Sequence, residues 1–188
     1  MRTMRPSFAV LFATALFFVT GSSIAQEEGK TAAAELTKSS QEALAKLNES
    51  TQLAKLLGPE AHAILVFPSV KKAGLGIGGQ YGEGTLLKGG KAAAYYKTTG
   101  ASFGLQAGGQ KYGYAMFIMN EKALAELDNA KGFEVGVGPS IVMVDEGMAK
   151  TTTTNTLKDD IYAFVFGQKG LMAGLGIQGN KITKIQPK

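Results

Sequence analysis

Twenty-two of the 25 glycines lie from Gly74 onward, and this distribution constrains the fold more than any other feature. Glycine in a helix interior costs about 1 kcal/mol relative to alanine, so a region this rich in it is not built mainly of helices. Twice the glycines alternate with apolar residues in the pattern A-G-L-G-I-x-G. The copies are Ala73-Gly74-Leu75-Gly76-Ile77-Gly78-Gly79 and Ala173-Gly174-Leu175-Gly176-Ile177-Gln178-Gly179. In a strand this places every apolar side chain on one face and bare backbone on the other. A face without side chains is read as a site of close packing by a helix or a second sheet.

Short β-prone runs separated by turn signals fill the region beyond Ala61. The expected strands are His62–Phe67, Leu75–Tyr81, Lys91–Thr98, Ala101–Gly108, Tyr112–Met119, Phe133–Val137, Ile141–Val144, Lys150–Thr154, Ile161–Phe166, Met172–Gln178 and Lys181–Ile185. Gly89-Gly90 and Gly179-Asn180 are two-residue hairpin signals. Connections this short cannot carry parallel crossovers, so the pairing is expected to be mostly antiparallel. One helix interrupts the strands: Asn120 caps it, Ala123, Leu124 and Leu127 form its apolar face, and Gly132 closes it. A longer helix precedes them. Over residues 27–57, Ala32, Leu36, Ala43, Leu44, Leu47, Ala54 and Leu57 recur at three- and four-residue steps between charged residues, and Gly58-Pro59 stops the run. The expected class is α+β: mostly antiparallel sheet, curled toward a barrel, flanked by an N-terminal helix and one internal helix. The helical stripe, made of Ala and Leu, either packs on the body of the domain or lies on a membrane surface.

The first 25 residues read as a secretory signal. Arg2 and Arg5 precede an uncharged run, Phe8 to Val19, and Ser23-Ile24-Ala25 supplies small residues at a cleavage site. The run is too short for a comfortable membrane span. The division expected is a signal peptide at 1–25, an amphipathic helix at 26–59 and one β-rich unit at 60–188, located in the periplasm or secreted. Loss of Arg2 and Arg5 would lower the net charge from +5 to +3, leaving 18 basic against 15 acidic residues. Such a bias permits an anionic partner without demanding one.

Several chemistries are excluded. There is no cysteine, hence no thiol nucleophile, thiolate metal site, disulfide or lipid-modified cysteine. His62 is the only histidine, which leaves a His-based triad or multi-histidine metal site without partners. Both glycine segments spell G-x-G-x-x-G, but neither stands between a strand and a helix, as nucleotide binding requires. Nucleic acid is an improbable partner for an exported chain whose only arginines are Arg2 and Arg5. Asp159, Asp160 and Glu83 are the carboxylates a hydrolase would use, yet no nucleophile–base pair accompanies them. No metal or cofactor is expected, and no enzymatic activity.

The basic residues carry more. Lys71-Lys72 follows Pro68 at the mouth of the first glycine segment, and Lys88 and Lys91 flank the Gly89-Gly90 turn. Lys97, Lys111, Lys181 and Lys184 stand near other strand ends. Lysines at turns keep edges soluble and unpaired; gathered on one face, each adds roughly 1 kcal/mol at an anionic bilayer.

The stretch from Ala63 to Gly84, AILVFPSVKKAGLGIGGQYGEG, resembles the opening signature of SYLF domains, also known as the actin-regulator-related or DUF500 family. Gly104–Gln110, Ala115–Met119, Phe164–Phe166 and Gly170–Gly179 add further matches, so the resemblance spans roughly residues 60 to 186. It implies a non-catalytic module that binds lipid surfaces. Eukaryotic members bind phosphoinositides, and some bind or bundle actin, through basic residues and an amphipathic N-terminal segment. Carried onto this sequence, the lipid-binding candidates are Lys71, Lys72, Lys88 and, by its place at the turn, Lys91. The helix Glu28–Leu57 would be the amphipathic segment. Export makes actin and phosphoinositides implausible ligands. The expected partner is anionic phospholipid at a membrane surface; the alternative is a structural or interaction module that binds another envelope protein through sheet edges or the Thr151–Thr154 run.

Overall fold

A computed structural model describes residues 21–129, 132–151, 158–167, 170–171 and 177–187. In chain order the elements are α1 (Gly21–Ser50), α2 (Gln52–Leu57), a 3-10 turn (Gly58–Glu60), β1 (Ala63–Lys88), β2 (Lys91–Ile118), α3 (Glu121–Leu127), β3 (Phe133–Glu134), β4 (Ile141–Val144), α4 (Glu146–Thr151), β5 (Ile161–Gly167), β6 (Gly170–Leu171) and β7 (Lys181–Ile185). The seven strands form one curled sheet, ordered β3-β7-β2-β5-β4, with β1 on β2 and β6 on β5. All pairs are antiparallel except β4 with β5.

The dominant feature is a two-stranded ribbon. β1 and β2 pair from Ala63↔Ile118 to Lys88↔Lys91, where Gly89 and Gly90 take φ of 55° and 77° and close the hairpin. The strands expected separately at His62–Phe67 and Leu75–Tyr81 are thus one strand, and Lys91–Thr98, Ala101–Gly108 and Tyr112–Met119 are another. The glycines between them bend the ribbon without ending its pairing. Gly74 and Gly78 approach so closely that neither has room for a Cβ. Beyond that bend β1 returns along itself: Gly82 lies against Ser69 and Val70, and Gly84 against Val66 and Phe67. The bare backbone face therefore does serve close packing, against an earlier part of its own strand.

Doubling over gives the ribbon two roles. Gly113–Ile118 of β2 pair with Phe166–Ile161 of β5, whereas Tyr95–Thr99 pair with Ile185–Lys181 of β7. Between the two halves lies one core, containing Leu65, Phe67, Leu86, Tyr96, Tyr114, Met116 and Ile182. The alternate side chains of the first half, including Ile64, Val66, Ala115 and Phe117, form with Phe164 of β5 a second core under Leu47 of α1 and Leu53, Ala54 and Leu57 of α2. Burying a leucine of this kind contributes roughly 1.5–3 kcal/mol. The apolar stripe of the leading helix accordingly faces the protein: Leu47, Ala54 and Leu57 are buried, and Ala32, Leu36, Ala43 and Leu44 are half-buried.

The structure departs from the expected elements in several places. The leading helix breaks at Thr51, whose backbone is extended (φ −136°, ψ 104°). Lys150–Thr154 is not a strand where it is described. Asp145 accepts a hydrogen bond from the Met148 amide (2.8 Å) and starts α4, so the described residues hold two helices within the β region, not one. Phe133–Val137 shortens to a two-residue strand, because Val137 closes a turn on Glu134. Most of Met172–Gln178, with the second A-G-L-G-I-x-G copy, lies outside the described residues, as do Thr152–Thr154 and residues 1–20 of the expected signal sequence. Asn120 caps α3 as expected, accepting from the Ala123 amide at 2.9 Å.

Candidate functional site

α1 crosses the doubled ribbon and creates a cleft beside it. The Ser40 hydroxyl, fully buried, reaches Thr85 Oγ1 (3.1 Å) and the Val66 carbonyl (3.4 Å), one group from each half of β1. On one flank of the helix, Thr37 Oγ1 bonds the Tyr95 hydroxyl (3.0 Å) and Gln41 Nε2 donates to the Gly90 carbonyl (2.8 Å). On the other flank, Leu36 and Ser39 line an open cleft of about 560 Å³ with Pro68, Ser69, Lys71, Tyr81, Glu83 and Lys111.

Lys71 and Lys111 stand directly opposite in the β1–β2 register. Their Cα atoms are therefore about 5 Å apart. Both side chains are exposed, and neither forms an ion pair among the described residues. Like charges placed opposite each other in a sheet cost several tenths of a kcal/mol, a cost that an anion between them would reverse. The cleft also holds one carboxylate. Glu83 accepts a hydrogen bond from the Tyr81 hydroxyl and faces Lys97 in register. That bond, aided by desolvation, pushes the Tyr81 hydroxyl up to about 12, so it remains a donor at neutral pH. The rim thus combines two cations with no ion pair among the described residues, the Glu83 carboxylate bonded by Tyr81, and the apolar Leu36 and Pro68.

The four lysines singled out from the sequence do not form one group. Lys71 lines the cleft, while Lys72, its neighbour on the strand, points to the opposite face and pairs in register with Gln110. Lys88 and Lys91 face each other across the Gly89-Gly90 turn, on the Gln41 flank of α1. Lys88 also stands close enough to Asp128 to help lower its pKa. The Asp128 carboxyl is held below the usual range first by the Tyr96 hydroxyl and then by Lys184, which pairs with it at 2.9 Å. Sequence reasoning left Lys111 out of the site, along with Leu36 and Ser39, because their placement depends on the ribbon register and on where α1 crosses.

Asp159 and Asp160 make local contacts at the start of β5. Asp160 accepts from Asn120 Nδ2 (2.7 Å), the Ser140 amide (2.9 Å) and the Ser140 hydroxyl (3.2 Å), tying α3 to the start of β5. The Ser140 amide, followed by Asn120, holds its carboxyl below the usual range. Asp159 contacts the Tyr162 hydroxyl through its amide (2.9 Å) and its carboxylate (3.4 Å). Among the described residues no group of three or more His, Asp or Glu could hold a metal ion, and no helix is long and apolar enough to cross a membrane.

A doubled glycine ribbon, backed by helices and opening a cation-rimmed cleft, defines a small β-ribbon module. Residues 99–187 match the family model described as Ysc84, Las17-binding protein actin regulator. The matched family is the SYLF family, the one that the glycine signature resembles. The match includes Lys111, while Lys71 and α1 precede it. No curated protein matches the chain.

Proposed function

We propose that the protein is exported and acts without catalysis, binding anionic phospholipid head groups through the Lys71–Lys111 pair. The observation that carries this reading is the register itself: two exposed, unpaired lysines face each other at the mouth of a cleft whose walls include Leu36 and Pro68. A phosphate between the two ammonium groups would relieve their repulsion, while the apolar wall accommodates the start of an acyl chain. α1 contributes a wall of the cleft, since its apolar stripe is already engaged with the sheet. The family match supports a lipid-binding or actin-regulator-related module, and the apolar run after Arg2 and Arg5 supports export away from actin.

Co-sedimentation with vesicles tests this. The purified protein is expected to bind phosphatidylglycerol-containing vesicles, to ignore pure phosphatidylcholine, and to lose binding as salt shortens the Debye length. At roughly 1 kcal/mol per cation, Lys71→Ala with Lys111→Ala should weaken binding about thirtyfold. Lys88→Ala with Lys91→Ala, on the other flank of α1, should change it far less. Equal binding to neutral and anionic vesicles at low salt would overturn the proposal.

A further inference from the structure

The bend of the ribbon leaves large apolar side chains in water beside these cations. Ile77 is 73% exposed and Tyr81 48% exposed. Positions 77, 79 and 81 all face solvent, whereas Gln80 and Gly82 between and beyond them are buried, so Ile77 and Tyr81 share one face of β1. Gly79 stands between them, and a Cβ there would meet nothing within 4 Å. Among the described side chains, none reaches across Gly79 to cover Ile77, whose partner in register is Phe103. Tyr81 lines the same cleft as Lys71 and Lys111, which joins the apolar face to the cation pair along a single rim.

From this juxtaposition we infer that the glycine bend is a membrane wedge: Ile77 enters the boundary between head groups and acyl chains, Tyr81 rests at the interface, and Lys71 and Lys111 hold phosphates above it. Tyrosine is suited to that depth because its ring is apolar and its hydroxyl stays wet. Charge selects the occupant. A hydrophobic protein groove would leave the two ammonium groups unpaired, whereas an anionic bilayer satisfies both halves of the rim at once. The glycines serve the same end. They let the ribbon reverse sharply, since Gly74 and Gly78 approach without room for a Cβ. The wedge rests on the lipid reading above but makes a separate claim, that contact is not confined to charge and that the bend, not the helices, penetrates.

The natural chain contains no tryptophan, so Ile77→Trp introduces a single indole at the apex. With vesicles of phosphatidylcholine and phosphatidylglycerol, its emission should shift to the blue, and brominated acyl chains should quench it. The indole of Leu56→Trp, on α2 where Leu56 is 42% exposed, should do neither. Ile77→Ser should weaken vesicle binding about tenfold while leaving the thermal midpoint unchanged, because the side chain packs against little. Co-sedimentation run in parallel separates the two claims. Protein that sediments with anionic vesicles while its apical indole stays unquenched would overturn the wedge and leave the lipid reading standing. Quenching at position 56 instead would assign penetration to the helices and overturn the wedge as well. Failure to sediment at all would overturn both. A lipid-free dimer that Ile77→Ser converts to monomer would also overturn the wedge, identifying the face as a self-association surface.

Discussion

Gly84→Ala probes the doubled ribbon directly. Gly84 is buried, and a Cβ built on it would lie 2.7 Å from Phe67 Cδ1 and closer still to the Val66 carbonyl oxygen. Carbon atoms pack best at about 3.5–4.0 Å, so the two halves of β1 would have to separate by roughly 1 Å. The surroundings resist this: Phe67 is fully buried in the core between the halves, and the Val66 carbonyl is also reached by Ser40 of α1. Overpacking of this kind costs about 1–3 kcal/mol, offset by up to about 1 kcal/mol from the reduced entropy of the unfolded chain. The net expectation is a loss of about 1–2 kcal/mol, or roughly 2–8 °C in Tm for a domain of this size. Gly79→Ala supplies the comparison. It sits on the same strand with open space around it, so only the entropic gain applies, and stability should hold or rise by up to about 1 kcal/mol. Urea unfolding of both variants gives the test. A Gly84→Ala protein as stable as Gly79→Ala would refute the claim that β1 packs against itself.

Two further perturbations follow from the buried polar groups. Tyr112 donates to Gln80 Oε1 at 2.6 Å, while the fully buried Tyr114 hydroxyl, beside Thr98 and Asn180, has no partner of good geometry. Tyr112→Phe should therefore cost about 1–2 kcal/mol and Tyr114→Phe almost nothing; equal losses in denaturant titrations would contradict this. The Asp128 carboxyl, held low by Tyr96 and Lys184, stabilises the fold above its unfolded pKa of about 4 and loses that contribution as pH falls. Asp128→Asn should accordingly be less stable than the parent at pH 7, with a smaller gap in acid, below the unfolded pKa. An unchanged gap in urea unfolding between pH 7 and acid would remove Asp128 from the acid response.

Periodicity and turn chemistry made much of the fold legible. The helical stripe, the Gly89-Gly90 hairpin, the Asn120 cap and the mostly antiparallel pairing all follow from local rules and all appear in the structure. The fusion of five short strands into two long ones did not follow, because a glycine run reads as a break when it is in fact a bend that preserves pairing. α4, between the strands expected at Ile141–Val144 and Lys150–Thr154, also did not follow; it opens because the Asp145 side chain satisfies the Met148 amide.

The site was hidden for a sharper reason. Counting back from the hairpin pair Lys88↔Lys91 with no irregularity would set Lys71 opposite Gly108. Register shifts at Leu86/Leu87, Gly74/Gly76 and Phe67/Val70 intervene along the ribbon. Of these, the first two lie between the hairpin and Lys71, and together they move its partner to Lys111. A single unpaired residue turns every following side chain to the other face, so no pattern in the letters could have joined these two lysines. Lys71-Lys72 was visible as a dipeptide, yet the strand sends its members to opposite sides.

The measurement closest to the central claim is amide hydrogen exchange of the protein with and without phosphatidylglycerol vesicles. Added protection is expected within residues 71–81 and 101–111, the two arms of the bend, with α2 and β5 unaltered. Protection appearing only in the helices or at the Gly89-Gly90 turn, or no change along the bend while the protein is bound, would contradict the account.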